Sequence, residues 1–258
     1  MLRKPQNTLG SKLPTVVCIL LIICIWEAVS ASGLVPRFML PSPFDVGHAF
    51  VDDFPTLMKH TSVTLIEAFV GLILGVIIGY GFAVLMDTFD VLYRAFYPLI
   101  VLTQTVPTVA IAPLLVLWFG YGMMPKVLLI IIVVFFPVTV GLLGGFRSVD
   151  SDSIRLMRTM KANRWQIFWH VKAPSALPHF FSSLRIAATY AVIGAVIAEW
   201  LGGFKGLGVY MTRVKKGFAF DRMFAVIILI SVISLLMVLL INLIARRVLS
   251  YTRLESAD

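Results

Sequence analysis

The sequence predicts an all-α integral membrane protein with about six transmembrane helices and a long polar loop between the fourth and fifth. Three observations carry that fold class. Hydrophobic residues make up 59% of the 258, charged residues only 14%, and the mean hydropathy is +0.95, a balance outside the range of soluble domains. Six stretches reach the roughly 20 apolar residues that cross a hydrocarbon core about 30 Å thick. The alternating pattern of membrane β-strands is missing, so the backbone satisfies itself as helix. The net charge of +9 is read as cytoplasmic loops held near anionic lipid, not as a nucleic-acid surface. The chain from 1 to 258 reads as one transmembrane domain.

The first predicted span, 13–31, follows Arg3, Lys4 and Lys12 and carries Glu27 near its end. It resembles a signal sequence but lacks a small-x-small cleavage site, so an uncleaved anchor is expected. Cys18 and Cys24 lie within it, six residues apart, which suits neither a disulfide framework nor a metal site. The connection from Gly33 to His60 is punctuated by Pro36, Pro41, Pro43 and Pro55. A short helix after Ser42 is expected there. His48, His60, Asp45, Asp52 and Asp53 lack ligand spacing and read as solvated loop residues.

The second span, 61–86, carries Gly71-x3-Gly75-x3-Gly79, a repeat that lets another helix approach closely. The third, 95–120, is uncharged but interrupted by Pro98, Pro107 and Pro113. The fourth, 127–146, has Pro137 at its middle, and the fifth, 180–201, is bracketed by Arg185 and Glu199. The sixth, 223–245, is free of charge. With both termini inside, the inner loops hold 14 of the 22 Lys and Arg and the outer loops 8. That bias places both termini and the loop 147–178 in the cytosol.

This loop is the longest segment that does not suit a bilayer. Asp150-Ser-Asp-Ser153 reads as a helix start. Arg155, Arg158 and Lys161 then share one face beside an apolar stripe of Ile154, Met157 and Met160. A turn near Asn163 leads to a second short helix bearing Trp165, Phe168 and Trp169, which Pro174 and Pro178 are expected to close. Two amphipathic helices at a membrane surface make a docking element for a soluble partner. The same residues would also suit a basic helix lying on anionic lipid.

From Arg155 the spacing resembles the cytoplasmic signature of permease subunits of bacterial ATP-binding-cassette importers, Glu-Ala-Ala-x3-Gly-x9-Ile-x-Leu-Pro. Arg155, Leu156 and Met157 stand at the Glu-Ala-Ala places, Lys161 at the Gly, Val171 at the Ile, Ala173 at the Leu and Pro174 at the Pro. The flanks resemble the nitrate, sulfonate, taurine and thiamine-precursor branch. They include Ala162-Asn-Arg-Trp-Gln166, Pro174-Ser-Ala-Leu-Pro178, Leu184-Arg-Ile-Ala187, Gly194-Ala-Val-Ile-Ala-Glu-Trp-Leu-Gly202 and Gly206-Leu-Gly208. Pro107-x5-Pro113-Leu-Leu-x-x-Trp118-Phe-Gly120 and Leu40-Pro-Ser-Pro43 extend the likeness over nearly the whole chain.

The resemblance implies a subunit that pairs with a second copy around a translocation path. It implies a cytoplasmic loop seated on an ATPase subunit and a solute delivered by an external binding protein, in a bacterial inner membrane. ATPase coupling then falls to Arg155, Met157, Arg158, Lys161, Ala162, Asn163, Arg164 and Trp165. Because Lys accepts left-handed geometry less readily than Gly, the turn is expected at Asn163 and not at Lys161.

No G-x4-G-K-[ST] cradle occurs in the sequence, so ATP and Mg are expected in the partner and no cofactor in this chain. Gly202 to Gly208 reads as a flexible turn. Polar residues at membrane depth are candidates for the path: Thr103, Gln104 and Thr108 around Pro107, with Tyr190 and Glu199 on the fifth span. The hydroxyls could equally bond within their own helices, and Glu199 could anchor its helix at the interface. A stand-alone secondary transporter is the alternative reading. An intramembrane enzyme is a third, but Glu27, Glu67, His170 and His179 make no constellation by spacing.

Overall fold

A computed structural model describes residues 8–249, with side chains from Leu13 to Leu249. Among these residues it forms eleven α-helices, one π turn and no strand. Arg3, Lys4 and Arg253, which enter the charge balance, lie outside the described residues, as does the side chain of Lys12. Five helices are long and apolar enough to cross a membrane, six if one bent pair counts as a single span.

By packing, the described residues divide into two units. One comprises those up to Met58 together with Met211–Leu229. Here α1 (Thr8–Ala31) is followed by α2 (Pro43–Asp52), the short helix expected after Ser42. Ser42 accepts from the Asp45 N–H at 3.1 Å while the Asp45 carboxylate accepts from the Ser42 N–H at 3.0 Å. With Pro43 in the first turn, this is a reciprocal capping box. The Trp26 indole donates to the Pro41 carbonyl and the Ser30 hydroxyl to the Leu40 carbonyl, each at 3.0 Å. Leu40-Pro-Ser-Pro43 thus ties α1 to the start of α2. In the same unit Trp26 packs on Phe224, ring centres 5.7 Å apart, and Arg222 pairs with Asp53 at 3.2 Å.

The second unit runs from Lys59 to Tyr210 and resumes at Ile230. Its centre is the packing of α3 (Phe54–Thr88) and α9 (Ala173–Gly202) on α6 (Met123–Arg147). At 1.5 Å per residue α3 is about 52 Å long, so it overreaches a hydrocarbon core and its ends are free to be polar. The Gly71, Gly75 and Gly79 face lies against Ile130, Val134 and Val138 of α6; a Cβ on Gly75 would sit 2.7 Å from Val134. The repeat therefore brings two backbones together, as its spacing predicts. α9 uses the same means, burying Ala187, Ala188, Ala191 and Ala195 in one stripe, with Gly194 facing Ile130. Small side chains lose little rotamer entropy on burial, which suits helices that gain no hydrophobic drive in lipid.

The interruption expected within 95–120 falls at one of its three prolines. The segment is α4 (Asp90–Thr103) and α5 (Thr108–Phe119), bent by 98° at the intervening break. Pro107, extended at φ −61° and ψ 119°, caps α5. It offers no N–H to continue α4 and forces the residue before it out of helical geometry. Pro98 and Pro113 lie inside α4 and α5 without ending either.

One expectation is corrected: Pro174 and Pro178 do not close the second loop helix. The chain stays helical through a π turn at Phe168–Lys172, where the Ala173 N–H reaches the Phe168 carbonyl, and runs on into α9 with Pro174 in its first turn and Pro178 inside. The widened turn absorbs the hydrogen bond that Pro174 lacks.

Candidate functional sites: a basic elbow and a buried polar cage

The elbow begins at α7 (Ser151–Thr159), whose N-terminus is capped by the Asp150 carboxylate accepting from the Asp152 N–H at 3.2 Å. At its far end the Lys161 N–H donates to the Arg158 carbonyl and the Ala162 N–H to the Met157 carbonyl, both at 2.9 Å. Lys161 has φ +61°. This is the Schellman arrangement, in which the residue past the helix takes left-handed geometry.

The expectation that the turn moves to Asn163 is therefore wrong. Asn163 is extended at φ −78° and ψ 169° and caps the next helix, α8 (Arg164–Ile167), in a capping box with Gln166 at 2.8 Å each way. The closing hydrogen bonds require a left-handed residue at 161 whatever its side chain, so Lys161 occupies the place where the resembling signature has glycine.

Packing roots this elbow in the bundle. Ile167 and Phe168 are buried, and the Phe168 ring meets Phe146 of α6 at 5.3 Å. Lys172 in the π turn holds the Asp87 carboxylate of α3 with both oxygens at 2.8 Å. Outward it shows Leu156, Met160 and Trp165, each 63–70% exposed, among the exposed cations Arg155, Arg158, Lys161 and Arg164. Met157 and Ala162 are half-buried. Arg155 also meets Asp152 at 3.2 Å, an exposed pair that contributes little. A cavity of about 590 Å³ opens between α7 and the end of α3, lined by Arg158, Arg164, Trp165, Asp87 and Lys172. All eight residues assigned to coupling fall on this one element.

The path candidates are more scattered. The Thr103 hydroxyl donates to its own helix at the Ile100 carbonyl, 2.6 Å away, one of the outcomes left open by the sequence. Gln104 is exposed in the bend, Thr108 is half-buried at the start of α5, and Tyr190 is exposed on α9. Glu199 departs from both expectations for it, since it is 1% exposed.

Around Glu199 the structure assembles a cage that sequence spacing did not reveal. The Thr64 hydroxyl of α3 donates to Glu199 Oε1 at 2.7 Å, and the Gly208 N–H donates to Oε2 at 2.6 Å. The Leu207 N–H donates to Thr64 Oγ1 at 2.9 Å, and the Gly206 N–H to His60 Nδ1 at 3.0 Å. Lys126 of α6 donates to Glu67 at 2.6 Å and reaches the Lys205 carbonyl at 3.4 Å.

Three expectations fall here together. His60 is buried on a helix and is not a solvated loop residue. Lys126, counted among the outer-loop charges, is a buried ion-pair partner of Glu67. The segment ending at Gly208 is not a free turn: Gly206, at φ +123°, has no room for a Cβ beside the Glu199 carboxylate. The signal lay in α3, where His60, Thr64 and Glu67 continue toward its start the face that Gly71, Gly75 and Gly79 form.

A bundle of membrane helices built on close backbone contact, with a rigid cationic elbow projecting from one end, has the architecture of a permease subunit. The family described as "Binding-protein-dependent transport system inner membrane component" matches residues 71–250, and the chain belongs to that family.

It is 37% identical over 214 residues to a probable ABC transporter permease protein of Haemophilus influenzae, covering 83% of this chain and 87% of that one. It is 38% identical over 218 residues to the formylaminopyrimidine transport permease protein ThiX of Halalkalibacterium halodurans, covering 84% and 87%. The taurine transport system permease protein TauC of Escherichia coli is 30% identical over 235 residues, covering 88% and 85%. A solved structure of the MetNI methionine ABC transporter in an inward-facing conformation matches with a TM-score of 0.68 at 20% identity, over 76% of this chain and 98% of that one, which supports the fold. The protein is thus the transmembrane permease of an ATP-binding-cassette importer.

Proposed function

We propose that this permease works as a pair of identical subunits in the bacterial plasma membrane, with both termini and the elbow in the cytosol. Each elbow seats on a separate ATPase that supplies ATP hydrolysis with its Mg, and an external binding protein delivers the solute. The observation that carries this reading is the α7–α8 elbow: capped at both helix starts, pinned to α3 by Lys172–Asp87 and to α6 by Phe146–Phe168, yet presenting Leu156, Met160 and Trp165 to solvent. A rigid apolar knob ringed by Arg155, Arg158, Lys161 and Arg164 suits an ATPase cleft with an apolar floor and an acidic rim. Motion would pass as rearrangement of whole helices, since α9 leaves the elbow without a break.

The solute class is a small polar molecule, a thiamine pyrimidine precursor ahead of a sulfonate or nitrate. Support comes from the likeness to the formylaminopyrimidine and taurine permeases and from the wording Ala198-Glu-Trp-Leu-Gly-Gly203. Gln104, Thr108 and Tyr190 are proposed to line the path, and Thr103 to shape the bend that carries Gln104 and Thr108.

The test is co-purification of the tagged permease with its ATPase from membranes. Arg158→Glu and Trp165→Ala should each weaken assembly while insertion stays intact. An acidic residue on the ATPase rim changed to Lys should restore assembly to the Arg158→Glu subunit. Wild-type permease that purifies without any ATPase and still moves solute would replace this reading with a stand-alone transporter.

A further inference from the structure

Four consecutive backbone groups, the Lys205 carbonyl and the N–H groups of Gly206, Leu207 and Gly208, are each met by a buried side chain, and three helices supply them. His60 and Thr64 belong to α3, Lys126 to α6 and Glu199 to the last turn of α9. The three N–H groups are those at the start of α10 (Leu207–Lys216). That start is already occupied by the chain's own Glu199 carboxylate, which leaves no vacancy for an outside anion.

The seat is closed as well as bonded. Leu207 is fully buried, and a Cβ on Gly208 would lie 2.9 Å from the Glu199 Cβ. From Ala173, next to the elbow, to Glu199 is about 39 Å along α9 at 1.5 Å per residue. The cage and the elbow therefore stand at opposite ends of one continuous helix.

We propose that Glu199 and Thr64 are positioning residues of the transport cycle. They weld the 205–208 segment to α9 and α3, so that a displacement imposed there by the binding protein reaches the elbow through α9 as a single body. This rests on the permease–ATPase–binding-protein arrangement proposed above. Coupling across such a distance requires an element with discrete arrangements that both ends bias, and a segment held through four bonded groups moves with its helix. Truncating Thr64 takes the side-chain acceptor from the Leu207 N–H, and truncating Glu199 takes the carboxylate from the Gly208 N–H; the weld is then broken, the segment moves alone, and the signal stops at its own turn.

The experiment has two arms on the assembled complex of permease, ATPase and binding protein. In the first, hydrogen exchange is followed on peptides covering 203–210 in wild type, Thr64→Val and Glu199→Ala. The amides of Gly206, Leu207 and Gly208 are expected to be protected in wild type and to exchange at least about 5-fold faster in both variants.

In the second, ATP hydrolysis is measured with and without loaded binding protein. Both variants should keep the basal rate while the stimulated-to-basal ratio falls at least about 5-fold. Thr64→Ser, which keeps the hydroxyl, and Glu199→Gln, whose amide can accept from Gly208 and donate to Thr64 Oγ1, should restore it. Should Glu199→Ala fail to assemble, Thr64→Val carries both arms.

Stimulation of Thr64→Val equal to wild type overturns the proposal, as does unprotected exchange at 206–208 in the wild type. So does failure of both conservative variants to rescue. Absence of any stimulation in the wild-type complex would instead refute the underlying arrangement.

Discussion

Replacing Lys126 by Met removes the cation paired with the buried Glu67 carboxylate. The Lys126 and Glu67 side chains are each 5% exposed, and their charged atoms lie 2.6 Å apart. The second oxygen of Glu67 is buried as well, and beyond Glu67 Lys126 reaches the Lys205 carbonyl only at 3.4 Å. Removing one member of a buried pair leaves the other uncompensated and costs about 3–5 kcal/mol, whereas replacing both by groups of similar volume is often neutral. Lys126→Met should therefore destabilise by about 3–5 kcal/mol. The double variant Glu67→Gln, Lys126→Met should recover most of that loss, a positive coupling of at least about 2 kcal/mol in the cycle. At about 2–4 °C per kcal/mol for a chain of this size, the single variant should unfold roughly 6–20 °C lower. The assay is thermal unfolding of the four proteins in nanodiscs, followed by tryptophan fluorescence. A single variant within about 1 kcal/mol of wild type, or a double variant as unstable as the sum of the singles, would refute the claim that these groups are paired and dry.

Lys161→Gly should stabilise the elbow by about 1 kcal/mol, because it removes the penalty of a side chain at φ +61°; Lys161→Val should cost at least as much. Limited proteolysis at 159–163 reads both. Gly75→Ala places a Cβ 2.7 Å from Val134 and should cost about 1–3 kcal/mol, with Val134→Ala restoring part of it in the same unfolding assay. Hydrogen bonds from the Ser42 backbone and side chain hold the Asp45 carboxyl below its usual 3.8. The folded value being the lower one, its contribution to α2 is complete above about pH 4 and is lost as the pH falls through the depressed value. Amide exchange across 43–50 should accelerate in that acidic window in wild type and be insensitive to it in Asp45→Asn.

The class of the fold was legible because lipid imposes length and apolarity on every span, and the glycine repeat of α3 declared a close helix contact, though not that α6 would make it. The caps at Asp150 and Ser42 were legible for a similar reason: they depend on residues three apart or fewer. What escaped depends on pairs far apart in sequence. Glu67 meets Lys126 and Thr64 meets Glu199 only after α3, α6 and α9 have packed, 59 and 135 residues away. Counting Lys126 by loop failed because the count treats every cation as solvated. The turn at Lys161 was misplaced because residue propensity was set against a hydrogen-bonding pattern, and the pattern prevailed.

ATP-driven solute uptake into proteoliposomes tests the central claim most directly, with wild-type and Arg158→Glu permease compared beside the same ATPase and binding protein. Wild type should accumulate solute only when ATP and binding protein are both supplied, and Arg158→Glu should accumulate none above the nucleotide-free background. Uptake that continues without nucleotide, or that Arg158→Glu performs at the wild-type rate, would contradict the account.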